Sequence, residues 1–294
     1  MGFERKSLAR RTWQWWQAAD RWGLHELVGV VVAFLLYFFI RGAVVDREAD
    51  AFANARDLVS LEKALGVYRE AAMQDWILGS EPLIRVMNWI YFWGHMPLVV
   101  VFAVWLYFRH RHTYGLIRTA FLASGAIAIV LYALYPVAPP RLMPGGEFVD
   151  TMAIYDRVGY QTQESQAFVN PFAAMPSLHF GWSLLLAAAV AWVGRRWWFV
   201  AFGIAWPVAM LFAVVLTANH WIIDAVAGGA VSFAGLAVAI GIDRYVWPGL
   251  QRRWNAMAEP DGDEAWRRRK PSPQAGMRLP EPDKSHFPPA SKGE

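Results

Sequence analysis

The apolar residues of this chain lie in long unbroken runs, not at the three-and-four spacing that marks a helix half-buried on a soluble core. Such runs occupy 24–45, 83–108, 114–137, 178–193, 197–217 and 219–246. Most reach the roughly 20 residues that cross bilayer hydrocarbon, and the fourth is the shortest. Lipid tails offer no partners to backbone N–H and C=O groups, so these runs must close their hydrogen bonds internally, as helices. The expected fold is all-α, an integral membrane bundle of about six transmembrane helices.

The link between the first two runs carries Leu58, Leu61, Leu65, Tyr68 and Ala72 on one helical stripe, broken at Gly66. It predicts two short extracytoplasmic interfacial helices lying on the outer membrane surface, a solvated connector being the alternative. The first run exceeds the roughly 7 to 15 apolar residues of a secretory signal and is read as an uncleaved anchor. From Glu259 the chain is rich in Pro, Arg, Asp and Glu, which predicts disorder. The expected division is a cytoplasmic segment 1–23, a membrane domain 24–247 and a disordered cytoplasmic tail 248–294.

Basic residues set the orientation. Arg5, Lys6, Arg10, Arg11 and Arg21 precede the first run, Arg109 and Arg111 lie in the second link, and Arg195 and Arg196 in the fourth. Arg252, Arg253, Arg267, Arg268, Arg269 and Lys270 follow the last run, whereas the long third link has only Arg141 and Arg157. This alternation predicts that both termini are cytoplasmic and that the third link faces outward.

A hydrophobic share of 56% and a mean hydropathy of +0.24 agree with a membrane class. The net charge of +4 sits at the ends of apolar runs and in the tail, which is membrane topology and speaks against a nucleic-acid partner. With no cysteine, disulfides, thiolate catalysis and Cys-ligated metals are excluded.

Ionisable groups collect where apolar runs meet the outer surface. Met175-Pro176-Ser177-Leu178-His179 opens the fourth run. Ser177 is placed to cap that helix, whose N-terminus favours an anion beside an imidazole. Asn219-His220-Trp221-Ile222-Ile223-Asp224 opens the sixth. His220 and Asp224, one turn apart on a helix, would share a face, with the carboxylate holding one ring nitrogen and leaving the other to attack. Taken alone, that pair could equally be half a metal site or a helix-stabilising contact. Tyr135-Pro136-Val137-Ala138-Pro139-Pro140-Arg141 ends the third run on the same side, where Arg141 is suited to clamp phosphate. Asn88, Tyr91 and His95 form one polar stripe in the second run, either an interhelical hydrogen-bond network or, for Asn88 and Tyr91, contacts to a substrate head group. Gly228 and Gly229 suggest close helix packing.

Pro176-Ser177-x-His179 followed by His220-x-x-x-Asp224 resembles the two catalytic signatures of the type 2 phosphatidic acid phosphatase superfamily. Ala138-Pro139-Pro140-Arg141, with Glu62, Asn88, Tyr91, His95 and Pro97, resembles its branch containing inositol phosphorylceramide synthase. The resemblance spans roughly 58–229. It implies metal-independent and cofactor-free transfer or hydrolysis of a phosphate-linked group on a lipid, through a phosphohistidine, the branch pointing to a phosphotransferase and the superfamily as a whole to a phosphatase. His220 would be the nucleophile, Asp224 its orienting group, His179 the acid, and Arg141 the phosphate ligand. One departure stands out: where the family has Ser-Arg ahead of the second histidine, this chain has Ala213-Val214-Val215-Leu216-Thr217-Ala218-Asn219. Replacement donors would be Ser177, nearby backbone N–H groups and Asn219. A transporter or ion-relay bundle is the competing class. It predicts charges deep in several spans, whereas the cluster here sits at one membrane edge.

Overall fold

The computed structural model describes residues 23–42, 47–155, 170–194 and 196–249. The expected N-terminal segment before Gly23, Arg157 of the third link, and the tail beyond Gly249 lie outside the described residues. The order is α1 (Leu24–Gly42), α2 (Glu48–Ala64), α3 (Glu70–Leu78), α4 (Glu81–Trp89), α5 (His95–Arg109), α6 (Arg111–Leu134), α7 (Thr151–Tyr155), α8 (Leu178–Val193), α9 (Trp197–Leu216) and α10 (Ile222–Gly241). Among the described residues the only extended pairing is one bridge between Val137 and Ala173.

Among the described residues, four helices are long and apolar enough to cross a bilayer: Glu81–Arg109, Arg111–Leu134, Trp197–Leu216 and Ile222–Gly249. The apolar helices Leu24–Tyr37 and Leu178–Val193 are shorter. The chain is an all-helical integral membrane protein. The expected second span is one rod in which a π-helical turn, Ile90–Gly94, joins α4 to α5. Such turns insert one residue into the helical ladder and cluster at functional sites. Tyr91 lies in it.

α10 packs against α6 and α8, and α8 also against α9. The α8–α10 crossing depends on missing side chains. A Cβ on Gly228 would collide with the Ser177 carbonyl, and one on Gly181 with the Gly228 carbonyl. Gly228 therefore brings the two predicted signatures into backbone contact. Gly229 is less confined, its nearest neighbour being the Leu184 side chain at 3.2 Å.

The two short helices of the first link form as expected, but with a different buried face. Ala51, Ala55, Leu58 and Glu62 are buried, while Leu61 and Leu65 are 49% and 61% exposed. The inward stripe follows small residues because α2 lies directly on backbone: the Ala138 N–H donates to the Ala51 carbonyl at 3.1 Å, and Asn54 Nδ2 to the Pro136 carbonyl at 2.8 Å. Ala51, Ala55 and Leu58 share one apolar cluster with Val137, Ala138, Phe172, Ala174, Ala218 and Trp221. The hairpin α2–α3 thus covers the loops that carry the expected chemistry.

Candidate active site

The turn that carries His220 is built by the end of α9. Ala218 takes the left-handed conformation, φ +54°. Its N–H donates to the Val215 carbonyl at 2.9 Å, and the Asn219 and His220 N–H groups both donate to the Val214 carbonyl, at 3.1 and 3.0 Å. This is a Schellman closure with alanine at the position glycine usually holds. Trp221 is extended (φ −73°, ψ 158°), and α10 begins at Ile222.

His220 therefore lies outside the helix, which corrects the expectation that it shares a helical face with Asp224. The two still approach. His220 Nδ1 is 3.6 Å from Asp224 Oδ2, because the carboxylate folds back over the start of α10 and accepts the Trp221 N–H at 2.9 Å. The closer partner of Nδ1 is the Ala174 carbonyl oxygen, at 2.8 Å. A carbonyl only accepts, so in the neutral ring Nδ1 carries the proton and Nε2 the lone pair. Ala174 is itself held by the bridge, in which Val137 donates to Phe172 O (2.9 Å) and accepts from Ala174 N–H (3.2 Å).

His179 enters from the first turn of α8, its ring centroid 5.9 Å from that of His220. Tyr91 stacks on it at 4.4 Å, and His95 lies at 5.0 Å. Ser183 Oγ donates to the His179 carbonyl at 2.8 Å. The Ser177 N–H donates to the Asp224 carbonyl at 2.9 Å, tying the two signatures together. Ser177 stands at the N-cap of α8, yet its hydroxyl makes no capping bond and is buried without a hydrogen-bond partner among the described residues. The expected cap is thus not made. The residue's backbone is fixed by Asp224 and by the Gly228 contact, and these, not the helix end, determine where its side chain goes.

Arg141 sits in a 3-10 turn, Pro140–Leu142, with its N–H donating to the Ala218 carbonyl at 2.9 Å. Its side chain is only 4% exposed. Nε donates to Asn219 Oδ1 at 2.9 Å, and Nη1 lies 3.7 Å from Asp150 Oδ2. Asn219 Nδ2 in turn donates to Thr217 Oγ1 at 2.7 Å. The amide expected to touch phosphate is thus engaged in aiming Arg141. Asn88 binds Thr151 with both ends of its amide, donating to the carbonyl at 3.1 Å and accepting the hydroxyl at 2.8 Å. It anchors α7 beside the site in the manner of an interhelical network.

Two carboxyl groups complete the surroundings, one of them at a position whose role the sequence left unassigned. Glu62 Oε1 accepts the Ile223 N–H at 2.8 Å, and Glu70 Oε1 accepts the Ile222 N–H at 2.9 Å. Both are fully buried. Burial, then the adjoining Glu70 side chain, push the Glu62 carboxyl up to about 8, against the lowering effect of the Ile223 N–H. Sequence reading missed Glu70 altogether, along with Ala174 and Asp150. For Glu62 there was a usable signal, an acid continuing the small-residue stripe Ala51, Ala55, Leu58. For a backbone carbonyl such as Ala174 there is none. Among the described residues no group of His, Asp or Glu could hold a metal ion.

The fold and site define a helical membrane protein in which a histidine from the first turn of α8 faces one from the turn that precedes α10, beside a buried carboxylate. The sequence profile of the PAP2 superfamily matches residues 56–238, and the chain belongs to that superfamily. It is also similar to a phosphoinositol dihydroceramide synthase of Bacteroides thetaiotaomicron, 26% identical over 162 residues. That match covers 50% of this chain and 52% of the synthase, so the chain spans about half the length of the curated relative. No solved structure matches the chain at a significant level.

Proposed function

We propose that this protein is a lipid phosphotransferase that moves a phosphate-linked group from a membrane lipid to a hydroxyl acceptor through a phosphohistidine. In the first half-reaction the His220 Nε2 lone pair attacks phosphorus. The N–P bond forms as the P–O bond to the lipid breaks, and His179 gives its proton to the departing alkoxide. In the second, neutral His179 takes the proton of the acceptor hydroxyl, whose oxygen attacks phosphorus and releases His220. Arg141 and the Ser177 hydroxyl stabilise the phosphoryl oxygens, and Asp224 balances the positive charge on the ring.

The observation that carries this reading is the approach of the two imidazoles, one from α8 and one from the turn before α10, 5.9 Å between centroids, with His220 Nδ1 turned to Ala174 so that Nε2 holds the lone pair. Transfer is favoured over hydrolysis by the similarity to a synthase, and water in place of the hydroxyl would make the same site a phosphatase. Purified full-length protein given phosphatidylinositol with ceramide, or phosphatidic acid or polyprenyl diphosphate alone, separates the two. A new phosphodiester by mass spectrometry supports transfer, and free phosphate supports hydrolysis. Neither product with any donor, in protein that is folded, overturns the proposal.

The Lys and Arg distribution supports an active site at the extracytoplasmic face with both termini cytoplasmic. The chain has no cysteine, so Ser60→Cys and His112→Cys are clean reporters. An impermeant maleimide added to intact cells should label the first alone. Labelling of only the second would reverse the orientation.

A further inference from the structure

The start of α10 lacks an ordinary cap. Its N-cap residue is Trp221, whose side chain offers no acceptor, and whose indole N–H is spent on the Ala138 carbonyl at 2.9 Å. Helices normally fill this gap with a local Ser, Thr, Asp or Asn. Here Asp224 reaches back to the Trp221 N–H, and the next two N–H groups, of Ile222 and Ile223, are taken by Glu70 and Glu62, which lie 152 and 161 residues earlier.

The hairpin is shaped to deliver these two acids together. α2 ends in a Schellman closure at Gly66 (φ +73°): Gly66 N–H donates to Lys63 O at 3.1 Å and Val67 N–H to Glu62 O at 2.9 Å. The reversal sets Glu62, in the last turn of α2, beside Glu70, the first residue of α3. Glu70 is steadied by the Arg69 N–H on its second oxygen, at 2.9 Å. The first turn of α10 is thereby bolted to the α2–α3 hairpin. That turn bears Asp224, whose side chain faces His220 and whose carbonyl holds Ser177.

We propose that Glu62 and Glu70 are positioning residues for His220, holding the first turn of α10 at the height and rotation that bring the nucleophile and Asp224 into register with the Ser177–His179 segment. The inference rests on His220 being the nucleophile. It extends the site to the α2–α3 hairpin, which acts through α10 without touching the reacting atoms.

Reach and charge can be separated. Glutamine keeps the length and an accepting oxygen but cannot ionise; aspartate keeps the ionisable carboxyl and withdraws the acceptor by one methylene. In purified full-length protein, Glu62→Gln and Glu70→Gln should stay within about threefold of wild-type kcat. Glu62→Asp and Glu70→Asp should lose about ten- to a hundredfold in kcat with KM within about twofold, since displacement by ~1 Å can lower a rate ~10²-fold. Amide hydrogen exchange over 221–226 should quicken in the Asp variants and not in the Gln variants. The reverse order, Gln variants impaired and Asp variants intact, would overturn the proposal in favour of a charge effect. So would a change in KM alone, which would put the acids on the substrate. If the Asp variants do not fold, a folded Gln variant with lost kcat overturns it. The exchange measurement needs no substrate and decides the capping even if wild-type protein is inert toward every lipid tested, a result that would count against the proposed function.

Discussion

His220 Nδ1 stands closer to the Ala174 carbonyl, 2.8 Å, than to Asp224, 3.6 Å. The main-chain contact is enough to set the tautomer, and in the proposed mechanism the carboxylate is left to balance charge. Where a carboxylate alone fixes the tautomer, its conversion to the amide lowers the rate ~10⁴-fold. Asp224→Asn should therefore be milder, on the order of 10² in kcat, while His220→Ala removes turnover. Steady-state kinetics on the two variants tests this; equal losses would give Asp224 the orienting role instead.

Arg141 is aimed by Asn219 on one side and Asp150 on the other. A lysine cannot reproduce a planar fork held at two points. Arg141→Lys is expected to approach Arg141→Ala, each losing about 10²- to 10³-fold in kcat/KM. Asn219→Ala, which leaves the guanidinium present but less constrained, should lose roughly tenfold. An Asn219→Ala loss as large as that of Arg141→Ala would mean that the amide itself contacts phosphate.

Ala218 occupies a left-handed position and is fully buried. Glycine there would relieve roughly 1 kcal/mol of strain but remove a buried methyl worth about as much, so Ala218→Gly should change stability by less than about 1 kcal/mol. A β-branched residue is strained at this φ and overfills the site, and Ala218→Val should cost about 2 kcal/mol or more and misplace His220. Thermal unfolding followed by tryptophan fluorescence, with turnover alongside, would show it.

Glu62 titrates at about 8 in the folded chain, against 4.5 for an ordinary glutamate. Between these values the folded state binds the proton and the unfolded state does not, so stability from this group is complete below 4.5 and is lost as pH rises through about 8. Ionisation there would add a charge beside Glu70 and Asp224. Wild-type Tm should fall across this window more steeply than that of Glu62→Gln, which cannot ionise. Parallel Tm profiles for the two proteins would remove the assignment.

Much of the architecture was readable in the chain because a bilayer leaves little choice. Apolar runs at 83–108, 114–137 and 197–217 had to be helices, and they are, with ends shifted by a few residues. The short fourth run stays short, 16 residues at Leu178–Val193. His179, His220, Asp224 and Arg141 could be picked out as candidates because phosphate chemistry restricts the residue types that can serve. The same reasoning failed for Leu61 and Leu65, which face outward while Glu62 faces in. Hydrophobicity predicts burial on average, but the buried partner here is a row of helix N–H groups, which only an acceptor can satisfy.

The amino-acid order by itself determined the class of the protein, its helices and the candidates for its chemistry, since these follow from local transfer energies and functional groups. Only the tertiary structure decided how those groups are held: the Ala174 carbonyl on His220, Asn219 turned to Arg141, and Glu62 with Glu70 at the head of α10. Each is a directional hydrogen bond between segments far apart in the chain. Its existence depends on the packed positions of two backbones, which no local pattern of side chains encodes.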